Sequence, residues 1–256
     1  MLIEKLLNPS DMLFANNDNG EKIEAEPEAI GICPSCAEKL LAKCGPLKIW
    51  HWSHKGKNDC DDWYEPETEW HLGWKKLFGK ENCEVVIPPH RADILGNYDV
   101  VLELQHSAIS IQQIDDRERF YKKMIWVVDA HNFAENLMFF KNKKKMWRKL
   151  WSLDGIKWTL TDCEYALYWK YKQKRWLPMY GAQMPVMLDL SQRNVNIRNG
   201  ETFSNSLFWL QTAYVKSEKD MSPYSFGGRF ISKQRIIERY KPLVKNRSLD
   251  QPQTLH

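Results

Sequence analysis

The stretch His90 to Ser107, HRADILGNYDVVLELQHS, reads as two antiparallel strands folded about a Gly96-Asn97 turn. On the second strand Asp99, Val101, Glu103 and Gln105 share parity, so Glu103 and Gln105 project from one face. The turn brings Asp93 alongside them. Carboxylates converging from paired strands suit a hard divalent cation, which takes oxygen ligands and water. Such an ion can polarise a phosphodiester and activate water for in-line attack. Glu103 lies among Val101, Leu102 and Leu104, where an unpaired buried carboxylate would be costly. It is a metal ligand, a solvated acid on a one-sided strand, or an ion pair with Arg91 or Arg117.

Upstream, PETEWHLGWKKLFGKE predicts a helix starting at Pro66, with Trp70, Trp74, Leu77 and Phe78 on one apolar face. Glu67, His71 and Lys75 follow at i, i+4 and i+8 beside that face. They could orient metal, water and phosphate, and an ordinary surface ladder has the same spacing. CEVVIPP supplies a first strand before the hairpin. Downstream, ISIQQIDDRERFYKKM is a polar helix and MIWVVDA a buried strand. Arg117 and Tyr121, again i and i+4, could grip a phosphate, and an ordinary surface pair has the same spacing. The order helix, three strands, helix, strand describes a mixed α/β core of about 70 residues.

Before this core, Asn16 to Glu21 supplies the turn of an opening hairpin, and a cysteine cluster follows. Cys33 and Cys36 form a CPSC pair, presenting two thiols on one tight turn as a zinc knuckle does. HWSHKGKNDC then offers His51, His54 and Cys60. The first choice of ligands is Cys33, Cys36, His54 and Cys60, with His51 as the rival for the third position. KIWHW is a strand, with His54 just past its end. No βαβ pattern surrounds CPSC, which argues against a redox dithiol. Four protein ligands make a closed, structural zinc site. Cys44, Cys83 and Cys163 read as turn or core residues.

The chain changes character after Asn132. Residues 1–128 carry a net charge of −7 and residues 129–256 one of +11. Lys141 to Lys149 is a basic run, a linker or an exposed helix. YALYWKYKQKRWLPMYG alternates aromatic and basic residues as a strand or hairpin does. Its Lys170, Lys172, Lys174 and Arg175, among aromatics, suit single-stranded DNA, although a solvated basic sheet face would show the same pattern. ISKQRIIERYKPL predicts a late helix stopped at Pro242, and the C-terminal tail is expected to be disordered. No apolar run reaches the roughly 20 residues of a membrane span. The acids of MLIEKLLNPSD argue against a secretory signal, so a cytoplasmic location without membrane partners is expected.

CPSC, HWSHK, EWHLGWK, RAD, ELQHS and the R-x-x-x-Y helix, in this order, resemble the competence protein CoiA-like family over roughly residues 20–130. That resemblance implies the PD-(D/E)xK nuclease superfamily, with a restriction-endonuclease-like αβββαβ core and an N-terminal zinc-binding element. It makes Asp93 and Glu103 the ligands of a catalytic Mg²⁺ or Mn²⁺, and Glu67 an additional acid. Gln105 takes the usual lysine position and brings no charge there, a charge that Lys75 could supply from the helix. The expected division is 1–64 hairpin and zinc subdomain, 65–140 nuclease-like core, and 141–256 basic, Trp-rich α+β extension. The implied activity is metal-dependent DNA cleavage during uptake or recombination, or in a mobile element with its partner proteins. A homodimer is expected if both strands are cut. The rival is a zinc-containing nucleic-acid-binding protein without catalysis.

Overall fold

Asn17 folds the first hairpin: its side-chain carbonyl accepts the N–H groups of Asn19 at 3.0 Å and Glu21 at 2.9 Å. This computed structural model describes residues 11–56, 60, 61, 63, 65–141, 145–152, 155–162, 164–169, 181–197, 200–214 and 225–242. The hairpin comprises β1 (Phe14–Asn16) and β2 (Lys22–Glu24). With β3 (Ile30–Ile32), β4 (Lys39–Lys43) and β5 (His51–His54) it forms a five-stranded sheet ordered β2-β1-β3-β4-β5. Met12, Ala15, Ala25, Cys33, Leu40 and Trp52 make its small core. Trp52 lies so close to Gly31 that a Cβ there would sit 2.9 Å from the indole and 2.6 Å from Ala15 Cβ. His54 is the last residue of β5 rather than a residue beyond it, because its backbone continues the pairing with Leu40.

The next six elements follow the expected order. They are α1 (Glu69–Phe78), β6 (Cys83–Ile87), β7 (His90–Leu95), β8 (Val101–Gln105), α2 (Ile111–Tyr121) and β9 (Met124–Asp129). Helix α1 starts three residues later than Pro66 suggests. The Thr68 hydroxyl caps the N–H of His71, and His71 Nδ1 accepts the Thr68 N–H, a capping box that fixes the first turn. Glu67 therefore precedes the helix instead of lying on it. Ser110 and Gln113 form the corresponding box on α2.

The chain then adds β10 (Leu137–Lys141), β11 (Lys145–Ser152), β12 (Gly155–Asp162), β13 (Tyr165–Trp169) and β14 (Val186–Asp189). β15 (Val195–Asn196), β16 (Thr202–Phe203), β17 (Ser206–Tyr214), β18 (Ser225–Ser232) and α3 (Lys233–Tyr240) complete it. From Lys145 onward the basic run is strand and not linker or helix. Its Lys145 to Ser152 pairs with Gly155 to Asp162, a segment rich in Ile, Trp and Thr that favours strand.

Nine strands form the main sheet, in the order β10-β13-β18-β17-β14-β9-β8-β7-β6. β9 lies parallel to both β8 and β14, and all its side chains are buried. That position explains its unbroken apolar run. Strands from both sides of residue 140 share this sheet, so the expected boundary there runs through continuous hydrogen bonding. Ile114 of α2 packs with Trp126, Val128, Leu188 and Phe208 in one layer. Trp70, Trp74 and Phe78 of α1 pack with Leu102, Leu104, Val127 and Ile236 in the other. Both indole N–H groups of α1 donate to Asp189 Oδ2, Trp70 at 2.9 Å and Trp74 at 2.7 Å, tying the helix to the end of β14. Among the described residues no helix is long and apolar enough to cross a membrane.

Candidate active site and metal centre

The turn between β3 and β4 is closed by Cys33 N–H to Glu38 O at 2.8 Å and Ala37 N–H to Cys33 O at 2.9 Å. Ser35 N–H points at Cys33 Sγ, 3.4 Å away, a donor that would stabilise a thiolate. This turn and the end of β5 gather Cys33, Cys36, His54 and Cys60, whose ligand atoms all lie within 4.8 Å of one another. Cys33 Sγ is 3.9 Å from Cys60 Sγ, and His54 Nε2 is 3.4 Å from Cys36 Sγ and 3.2 Å from Cys60 Sγ. Tetrahedral zinc with bonds of about 2.3 Å to sulfur and 2.0 Å to nitrogen needs edges of about 3.5–3.8 Å. The quartet fits that geometry, and the cysteines are free thiols. Burial and the neighbouring thiols push the Cys60 thiol well up, a penalty that a bound cation would reverse.

His51 does not join this group. Its Nε2 is 3.2 Å from Asp11 Oδ2 and its Nδ1 2.7 Å from Ile49 O. Cys44 packs at the edge of the N-terminal core. Cys83 is buried, its Sγ 3.2 Å from Lys75 O, and burial pushes its thiol up to about 12. Cys163 lies outside the described residues, as do Lys170, Lys172, Lys174 and Arg175.

The second site is a cleft lined by Asp61, Trp63, Glu65, Glu67, Lys75, Glu84, Arg91, Ala92, Asp93, Glu103 and Arg117. Six carboxylates face three cations there. The β7–β8 hairpin positions Asp93, whose Oδ2 accepts Leu104 N–H at 2.9 Å and whose side chain keeps 24% of its surface exposed. Asp93 Oδ1 is 3.6 Å from Lys75 Nζ. The Lys75 ammonium also bonds Glu67 and reaches Glu84 Oε1 at 3.1 Å. Burial works against that ammonium, but Glu67, Glu84 and Asp93 outweigh it and hold its pKa well above the usual lysine value.

Glu103 is fully buried on β8. One oxygen accepts Arg117 Nη1 at 2.9 Å, and Oε2 has no hydrogen-bond partner among the described residues. Burial first, and then the Asp93 charge, push its carboxyl up to about 8 despite Arg117. The same arginine approaches Gln105 Oε1 at 3.5 Å and bonds the Trp63 carbonyl. Gln105 Nε2 donates to Ser107 O at 2.9 Å.

The structure thus brings Glu67, Lys75, Asp93 and Glu103 together, with Gln105 directly behind them. Arg117 turns inward onto Glu103 instead of standing on an open helix face. Tyr121 buries its hydroxyl, which has no hydrogen-bond partner among the described residues. His71 does not line the cleft. Its Nδ1 serves the helix cap and its Nε2 is 3.8 Å from Glu65. Burial alone would depress the imidazole, but Glu65 and Glu67 raise its pKa.

Three further acids shape the cleft. Glu84, at a left-handed φ of 48°, turns inward and accepts the N–H groups of Leu13 at 3.1 Å and Phe14 at 3.3 Å. Burial opposes its charge, but Lys75 and Arg91 keep its carboxyl below the usual value. Asp61, next to Cys60, takes His90 Nδ1 at 2.9 Å and Arg91 N–H at 2.7 Å. Glu65 accepts His106 N–H at 3.0 Å and bonds Ser107. The lone acid inside CEVVI and the acidic DDWYEPE run were the available signals.

No curated protein and no solved structure matches the chain. The segment that builds the Cys/His quartet is the part of the chain that resembles a known family: residues 19–62 match the family model for competence protein CoiA, N-terminal domain.

Proposed function

We propose that the protein is a metal-dependent DNA nuclease with a PD-(D/E)xK-type site on the β7–β8 hairpin, as its CoiA-like N-terminal segment also suggests. The observation that carries this reading is the buried, unpartnered Glu103 Oε2 beside Asp93, in a cleft where carboxylates outnumber cations two to one. Asp93 and Glu103 would hold Mg²⁺ or Mn²⁺, which supplies charge at the scissile phosphate and a water of lowered pKa. Leu104 N–H fixes the Asp93 rotamer, and Arg117 fixes Glu103. Gln105 is held by Ser107 and Arg117, so its amide orients without adding charge. Lys75 provides the fixed positive charge from α1, kept in place by Glu67 and Glu84. The Cys/His quartet would hold a structural Zn²⁺, since four protein ligands leave no open position.

The test is cleavage of end-labelled single-stranded, double-stranded and forked DNA with Mg²⁺ or Mn²⁺, wild type beside Asp93→Ala and Glu103→Gln. Metal-dependent cutting lost in both variants, with zinc retained, supports the assignment. Full activity in both would end it. One observation favours a second reading, a zinc-containing nucleic-acid-binding protein without catalysis: Lys75 and Arg117 are already matched to carboxylates, and Gln105 is neutral. That reading expects salt-sensitive DNA binding with no cleavage under any divalent metal.

A further inference from the structure

A second groove is larger than the acidic cleft. It lies between α3 and the sheet, lined by Glu164, Trp209, Arg229, Phe230, Ile231, Ser232, Arg235, Ile236, Arg239 and Tyr240. Its cavity volume is about 320 Å³, at the lower end of the range of about 300–1,000 Å³ found for ligand sites. Three guanidinium groups face one carboxylate.

These groups are placed by the fold. Arg235 and Arg239 stand one helical turn apart on α3 and are exposed. Trp209 and Arg229 are direct cross-strand partners on β17 and β18, and the guanidinium lies 4.9 Å from the indole centroid. Arg229 Nε is buried and has no hydrogen-bond partner among the described residues. Tyr240 closes one end of the groove, with the Arg239 guanidinium 5.6 Å from its ring. Guanidinium groups that have no carboxylate partner among the described residues, interleaved with flat rings, complement a polyanion that carries flat rings of its own.

We propose that this groove binds single-stranded nucleic acid. Phosphates sit on Arg229, Arg235 and Arg239, and unpaired bases stack on the Trp209–Arg229 pair and on Tyr240. A duplex could offer the groove its phosphates but not its base faces. The groove also touches the hairpin of the acidic cleft. Asn97 Nδ2 donates to Lys241 O at 2.8 Å, and a Cβ on Gly96 would stand 2.8 Å from Tyr240 O. A strand held on α3 is therefore presented beside the turn that joins Asp93 to Glu103. Binding stands on the groove's own chemistry, and only this delivery to the cleft rests on the nuclease reading.

The experiment is fluorescence anisotropy of a labelled oligothymidylate of about 20 nucleotides, without added divalent metal, over a series of salt concentrations. The chains compared are wild type, Arg235→Glu/Arg239→Glu and Tyr240→Leu, each checked for zinc content and helicity. The double reversal is expected to weaken binding at least about tenfold and to flatten the salt dependence by about 1.4 in log–log slope, for two lost phosphate contacts. Tyr240→Leu should weaken binding with the slope unchanged. Unchanged affinity and slope in the double reversal would overturn the proposal, and so would equal affinity for duplex with Tyr240→Leu neutral. If the groove variants lose binding while wild type cuts nothing with any metal, the groove stands and the nuclease reading falls. If wild type cuts and the groove variants bind and cut equally well, the reverse holds.

Discussion

Lys75 Nζ lies 3.6 Å from Asp93 Oδ1, so the positive charge nearest the hairpin carboxylate comes from α1 and not from the strand that carries Glu103. Gln105 on that strand is neutral and engaged with Ser107 and Arg117. Under the proposed mechanism, Lys75→Met should lower the cleavage rate by about 10²–10³, the usual effect of removing one aimed charge. It should also destabilise the fold by about 3–5 kcal/mol, because Glu67 and Glu84 would be left buried without their partner. Single-turnover cleavage beside urea unfolding separates the two effects. Lys75→Met retaining wild-type cleavage would refute this role.

Glu103 makes the metal-free protein pH-sensitive. Its carboxyl is raised from the ordinary 4.5 to about 8, so the folded chain keeps a proton that the unfolded chain loses. This contribution to stability is fully present below pH 4.5 and is lost as pH rises through about 8. The difference in Tm between wild type and Glu103→Gln should therefore shift against wild type between pH 5 and 8. Divalent binding displaces the same proton, so Mn²⁺ affinity measured by calorimetry should rise over that range. A pH-independent affinity would count against Glu103 as the ligand.

Zinc removal is expected to reach the cleft through two contacts. Asp61 follows Cys60 and holds His90 and Arg91, and Leu13 and Phe14 donate to Glu84. Extracting the metal, or Cys36→Ser, should cost most of the cleavage and lower the melting temperature. Asp61→Ala should keep one zinc per chain and still cut at least about tenfold more slowly. Zinc content by atomic absorption and cleavage on the same preparations check both.

Asp189 gathers Trp70, Trp74 and Lys233, the last at 3.2 Å. Burial opposes its charge, but Lys233 and Ser191 keep its carboxyl below the usual value. Asp189→Ala strands a cation and two indole N–H groups and should cost about 3–5 kcal/mol. Asp189→Asn, which can still accept hydrogen bonds, should cost less. Urea midpoints of the two variants give the comparison.

The Cys/His quartet is readable because a thiol pair on a knuckle finds its partners nearby, and His54 and Cys60 are the near ones. His51 is excluded because both its ring nitrogens are engaged elsewhere, Nε2 with Asp11 and Nδ1 with Ile49 O. Strand parity placed Glu103 beside Gln105, and hairpin geometry brought in Asp93. Glu84 escaped notice because a single acid in CEVVI looks like an edge residue until its left-handed backbone turns it inward. Asp61 and Glu65 sat in a run that reads as solvated linker, although the cleft borrows both. Arg117 is legible in part: the ion pair with Glu103 is one of the alternatives the sequence offers, but helical spacing says nothing about which neighbour covers the face and leaves a phosphate grip equally open. The extent of the main sheet was hidden for a related reason: the second neighbour of β9 arrives only at Val186.

That late arrival bears on how the chain is made. While residues before Val186 are emerging from the ribosome, β9 has β8 on one side and nothing on the other, so MIWVVD is an apolar edge. Trp126 N–H waits for Pro185 O, and Glu118 waits for the backbone of Gln183 and Met184. A nascent chain stalled in this interval is a sticky intermediate, complete in its cleft residues and incomplete in its sheet. An excised fragment ending at residue 140 would be caught there permanently, and should aggregate rather than fold as a smaller domain.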